Sequence, residues 1–133
     1  MNKDAENNRA QQQAASQLDS IREMVAVLEA AEESQDNDAR DEALNAIHED
    51  PLSVEVRSDW ASTPSELKAG EFQILLCTGG PAVRILGQLD CFGEPESATL
   101  EYQDWFTSWE RLPITNDDER VLLDYSRCFY FGE

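Results

Sequence analysis

The feature that most constrains the fold is a change of hydrophobic period at Pro51. Before it, Leu18, Ile21, Val25, Leu28 and Ala31 recur at steps of three and four, which lines them along one side of an α-helix. After it, Leu52, Val54 and Val56 alternate with Ser53, Glu55 and Arg57, the period of two that marks a half-buried strand. The helical period returns only near the C-terminus. Helices and strands are therefore segregated along the chain, which is the α+β pattern and not the alternating βαβ pattern of a parallel sheet.

The remaining elements follow from local chemistry. Residues 1–15 are rich in Asn, Gln and Ala and hold no large apolar side chain after Met1, so they are expected to fray, leaving residues 16–133 as a single α+β domain. Ser16 is a cap-type residue, and a first helix of about 16 residues is expected to follow it. Asp19, Glu23, Glu29, Glu32 and Glu33 then take its polar side. Residues 34–37 interrupt it, and residues 38–47 form a second, shorter helix with Ala43, Leu44 and Ile47 able to pack. Strands are expected at 72–77, 82–89 and 98–104, the first two joined through Thr78-Gly79-Gly80-Pro81 as a hairpin. Links this short exclude parallel crossovers and favour an antiparallel meander. Residues 105–113 make a last short strand or an ordered loop. Asn116 with Glu119 is a capping-box-like start, after which Val121, Leu122, Tyr125, Cys128 and Phe129 keep helical spacing. The expected architecture is two N-terminal helices, a four- to five-stranded antiparallel meander, and a C-terminal helix packed on one sheet face.

Charge bounds the partners. The 133 residues carry a formal net charge of −18, and the excess is shared: residues 1–50 hold 13 acidic and 4 basic side chains, residues 51–133 hold 15 and 6. Solubility of a small domain needs a magnitude of only about 2–8. A chain this acidic is repelled by nucleic acid and by anionic membrane surfaces, and is drawn to basic protein surfaces. Adaptation to high salt is the competing explanation, but Asp does not exceed Glu (12 against 16) and large apolar residues are plentiful. No apolar run approaches the roughly 18 residues of a membrane span, and residues 1–20 lack a signal-peptide pattern. Cys77, Cys91 and Cys128 are odd in number without a CxxC pair, which fits reduced cysteines of a cytoplasmic protein.

Catalytic and metal signals are weak. The single histidine, His48, stands near the end of the second helix, where an imidazole serves terminal carbonyls. Three scattered cysteines and one histidine lack zinc spacing, so no metal and no cofactor are expected. Gly79-Gly80-Pro81 lacks the lysine and the following helix of a phosphate loop. Asp36-Asn37-Asp38 opens like a calcium loop, but Arg40 and Ala43 spoil the pattern. Among paired carboxylates, Glu101 and Asp104 beside Tyr102 and Trp105 are the most cleft-like, and they define the alternative of a small carboxylate-dependent enzyme.

Two features point instead to binding. Glu29, Glu32, Glu33, Asp36, Asp38, Asp41, Glu42, Glu49 and Asp50 form an acidic run interrupted only by Arg40. Helical side chains three or four apart lie about 5–6 Å from one another, the order of phosphate spacing along a nucleic-acid strand. Such a row suits a groove lined by Lys and Arg in a nucleic-acid-processing complex, so the first expectation is an inhibitor-type binding protein that mimics nucleic acid. The second feature is aromatic. Trp60, Trp105, Phe106, Trp109, Phe129, Tyr130 and Phe131 are mostly expected in the core, with Trp105 and Trp109 left partly exposed as a partner patch. An adaptor that associates through its sheet edge or this tryptophan surface, or a homodimer, is the alternative.

The stretches TGGPAVRILGQLD (residues 78–90), LEYQDW (100–105) and CFYFGE (128–133) resemble a family of short bacterial proteins associated with phages, plasmids and other mobile elements. The resemblance covers about residues 50–133 and leaves the acidic helices outside. It implies a role similar to that of small acidic inhibitors of host defence, of anti-CRISPR or antirestriction type, and assigns no residue a function.

Overall fold

The computed structural model describes residues 3–58, 60, 69–79, 81–104 and 107–131, with the backbone alone over residues 3–8. Helices α1 (Lys3–Ser34) and α2 (Asn37–Glu49) form a hairpin. Strands β1 (Ser53–Ser58), β2 (Ala69–Cys77), β3 (Ala82–Leu89), β4 (Pro95–Gln103) and β5 (Glu110–Arg111) follow, and α3 (Asn116–Ser126) comes last. Each strand pairs antiparallel with its sequence neighbour, in the order β1-β2-β3-β4-β5. The α+β meander flanked by helices is thus the observed fold.

One face of the sheet carries the core. Directly opposed residues share a face, and here Ile74 lies opposite Ile85, Ile85 opposite Leu100, and Val83 opposite Tyr102. All are buried, and the long apolar side of α1 lies across β3 and β4 while α3 packs against β4 and α1. Burying each such side chain contributes about 1.5–3 kcal/mol relative to exposure. Gly87, opposite Phe72, is where backbone and ring come closest. A Cβ there would stand 2.1 Å from the Ser97 carbonyl oxygen and 2.6 Å from two Phe72 ring carbons. The Phe72 ring therefore covers the glycine, and Phe131 packs on Phe72 with ring centroids 4.9 Å apart.

β2 and β4 each begin three residues earlier than expected, at Ala69 and Pro95, and four further points of the sequence reading are corrected. α1 does not begin at Ser16 but at Lys3, because the apolar side continues backward through Ala14 and Ala10, both fully buried. Alanine is the best helix former and lets a helix approach its neighbours closely. Gln13 and Gln17 meanwhile bring hydrogen-bonding side chains to the Cys77 thiol. β1 is not half-buried throughout: Val54 packs on the core, but Val56 is 47 % exposed and Leu52, just before the strand, 60 % exposed. The α3 capping box uses Thr115 and Asp118, one residue earlier than Asn116 and Glu119. The Asp118 N–H donates to Thr115 Oγ1 at 3.1 Å, and the Thr115 N–H returns a bond to Asp118 Oδ2 at 3.1 Å. Finally, α3 stops at Ser126 and the chain turns, with Cys128 N–H donating to the Tyr125 carbonyl, so Phe131 is buried from a loop. Of the other aromatics, Trp60 is fully exposed and Tyr130 largely so, while Trp105 and Phe106 lie outside the described residues.

Candidate functional site

The α1–α2 hairpin sets the acidic surface. Gln35 turns the chain in the left-handed region (φ 58°), and Asp36 caps α2 by accepting from the Ala39 N–H at 3.1 Å. α2 buries Ala43 and Ile47. At about 100° per residue, Asp38, Asp41, Glu42 and Glu49 fall within an arc of about 100° on the opposite side. All four are exposed, as are Glu29, Glu32, Glu33 and Asp36. Among the described residues a single ion pair touches this set, Arg40 Nε to Glu32 Oε1 at 3.8 Å, with both side chains about half exposed. A pair so placed contributes no more than about 1 kcal/mol. The mutual repulsion of the remaining carboxylates is left standing.

The expected residues do not all share one surface. Glu33 and Asp36 at the hairpin tip, with Asp38, Asp41 and Glu42 on α2, are all exposed. Glu32 belongs with them through Arg40, but its charge also lies near the Cys128 thiol, which burial chiefly pushes up. Glu29 turns toward α3 and lines a groove of about 460 Å³ with Arg22, Asp117, Arg120 and Asp124, a mixed-charge surface. Asp50 is engaged, accepting from the Tyr125 hydroxyl at 2.7 Å. Burial, with Asp50 next to it, pushes that phenol well above its ordinary range.

Trp109 lies on the other side of the sheet. Arg84 points away from the helices, and its guanidinium stacks 4.0 Å from the centre of the Trp109 ring. The same guanidinium donates from Nε to Glu101 Oε1 at 2.8 Å and from Nη1 to Gln73 Oε1 at 2.7 Å. Trp109 is half-buried by this contact, so the tryptophan patch and the acidic surface are separate, and Trp105 is outside the described residues. Of the cleft-like carboxylates, Glu101 is the ion-pair partner of Arg84 with little exposure, and Asp104 is buried where β4 ends. The Asp104 N–H donates to Thr107 Oγ1 at 3.1 Å, closing a turn. Pairing and turn closure, not a shared solvated cleft, describe their surroundings.

His48 serves a carbonyl, but not one of its own helix: its Nε2–H donates to the Cys128 carbonyl at 2.7 Å, with the ring tilted against Phe129. With Asp50–Tyr125 it fastens the end of α2 to the end of α3. Among the described residues no group of three or more His, Cys, Asp or Glu is placed to hold a metal ion, and no helix is long and apolar enough to cross a membrane.

Asp118 is a residue whose part the sequence conceals. Beside Asp117 it reads as solvated, yet it is buried and accepts from Arg22 Nε at 3.1 Å and from Arg22 Nη2. That guanidinium, with the Thr115 amide, holds the carboxyl below its ordinary range. The Thr115–Asp118 spacing is the one signal of it in the sequence; nothing local announces a partner in α1. Fold and surface together define an acidic α+β domain in which α1 and α3 lie on one face of an antiparallel meander and α2 packs on α1. No protein-family model matches the sequence, and no curated protein and no solved structure matches it either.

Proposed function

We propose that this protein is a binding protein of inhibitor type, which presents the carboxylates of the α1–α2 hairpin to a basic surface that normally holds nucleic acid. The observation that carries the reading is the outward arc of α2. Asp38, Asp41, Glu42 and Glu49 are exposed on a rigid helix, without a cation from the same chain among the described residues. Beyond Asp38, which sits at the positive end of α2, the arrangement costs stability, since like charges three and four apart destabilise a helix. Fixed carboxylates at this spacing are instead complementary to a groove lined by Lys and Arg, and steer association with it. The resemblance to proteins of mobile elements supports a target in host defence against foreign nucleic acid.

The test uses the full chain as bait in host lysate at low and high salt, with bound proteins identified by mass spectrometry and a DNA duplex as competitor. Capture should weaken with salt and with added duplex. Reversal of Asp38, Asp41 and Glu42 to Lys should abolish capture while circular dichroism remains unchanged, and Trp109→Ala should leave it intact. Capture indifferent to the three reversals would sink the proposal.

A further inference from the structure

β1 is the terminal strand of the sheet. Its paired neighbour is β2, and among the described residues its second edge meets no strand. Edges of this kind are normally blunted by charged side chains, Lys above all, by Pro, or by a bulge that turns them away, and the two charges of β1, Glu55 and Arg57, are of opposite sign. β1 reads Ser-Val-Glu-Val-Arg-Ser, without Lys or Pro, and its irregularity falls only at Arg57/Ser58. Apolar surface gathers there too. Leu52, Val56 and Trp60 are three of the six exposed large apolar side chains among the described residues. Val56 pairs with Phe72, so it stands on the helix-bearing face but beyond the cover of the helices.

We propose that β1 pairs antiparallel with β1 of a second copy, about a two-fold axis at Val56. A two-fold axis normal to a sheet joins like faces, so residues of the same parity oppose one another. Centred on Val56, the pairing sets Val56 against Val56 on the helix-bearing face. On the open face it sets Glu55 against Arg57 twice. Moving the axis one residue toward the N-terminus opposes Glu55 with Glu55, and one residue toward the C-terminus opposes Arg57 with Arg57. Like charges directly opposite destabilise a sheet, and opposite charges stabilise it. The sequence of the edge is therefore complementary to itself in the Val56 register and repulsive in the two flanking ones. Arg57 already binds Glu71 on β2 at 2.8 Å, so in the dimer it bridges that carboxylate and Glu55 of the second copy. Two molecules of charge −18 repel at long range, so the dimer tightens as salt screens that repulsion. A contact between the acidic hairpin and a basic partner responds to salt in the opposite sense.

Sedimentation equilibrium of the full chain over a concentration series, at low and high salt, tests this. A monomer–dimer equilibrium that strengthens with salt is expected. Val56→Lys, which opposes two ammonium groups, and Arg57→Glu, which opposes four carboxylates in two pairs, should each raise the dissociation constant about tenfold or more. Exchanging both charges (Glu55→Arg with Arg57→Glu) should restore the dimer. Glu71→Gln, which weakens a contact of Arg57 within one chain, should leave it. Circular dichroism certifies each fold, and Arg57→Glu, at an exposed position, serves if Val56→Lys unfolds. A chain monomeric throughout, or a dimer indifferent to Arg57→Glu, overturns the interface; a charge exchange that fails to restore it overturns the register.

Discussion

Replacing Arg22 by Met is expected to destabilise the fold by about 1.5–3 kcal/mol at neutral pH, the range for hydrogen bonds to a charged group. The magnitude follows from position. An exposed pair would contribute about 0–1 kcal/mol, and breaking a fully buried one costs about 3–5 kcal/mol. Here the carboxylate is 13 % exposed and the guanidinium 43 %. After substitution Asp118 keeps the Thr115 amide and the positive end of α3, so the loss stops short of an orphaned charge. The pH dependence separates this account from a general packing defect. Arg22 chiefly, and Thr115 with it, hold the folded Asp118 carboxyl below its unfolded value, which is about 3.9. The stability it contributes is therefore complete above about pH 4 and is lost as pH falls through the lower, folded value. Urea denaturation from neutral to acid pH should show the Arg22→Met deficit largest near neutrality and shrinking toward acid. Arg40→Met removes the same charge from an exposed pair at 3.8 Å and controls for net charge. A deficit for Arg22→Met that stays constant as pH falls, or that matches Arg40→Met, would refute the reasoning.

Two further substitutions check the core. Gly87→Ala should cost about 1–3 kcal/mol or more through overpacking, because the atom 2.1 Å from the new Cβ is the Ser97 backbone carbonyl, which cannot rotate away; an unchanged urea midpoint would mean that the Ser97 carbonyl does not approach the glycine so closely. Ser126→Ala should be neutral or stabilising, because Ser126 Oγ is fully buried with no partner among the described residues, and an unmade hydrogen bond costs about 1–3 kcal/mol; a lower thermal midpoint for the variant would show that the hydroxyl is satisfied.

What the sequence disclosed depended on whether the cause was local. β3 was legible to the residue, Ala82–Leu89, because its apolar run is bounded by turn residues on both sides. The opening turns of α1 were not, because Ala10 and Ala14 carry no hydrophobic weight of their own and matter only through what presses on them. The α3 cap was misplaced by one residue because Asn116/Glu119 and Thr115/Asp118 are equally good locally. The structure uses the second, in which Asp118 also meets Arg22, 96 positions away. Val56 alternates as a core residue should, yet burial at an edge depends on whether a helix reaches that far. At the candidate site the exposure of Asp38, Asp41 and Glu42 could be read from α2 alone. The turn of Glu29 toward Asp117 and Asp124 could not, since it depends on how α3 lies against α1.

The contact of Phe131 with Phe72 has a consequence for the order of events during synthesis. A chain emerging from the ribosome releases the helical hairpin first and the meander next, while α3 and the loop after it are still being made. Until residue 131 is free, Phe72 lacks the ring that packs on its outer side, and Asp50 waits for the Tyr125 hydroxyl. The nascent sheet thus spends that interval with its apolar face only partly covered. It closes when a segment made after both the hairpin and the sheet docks between them.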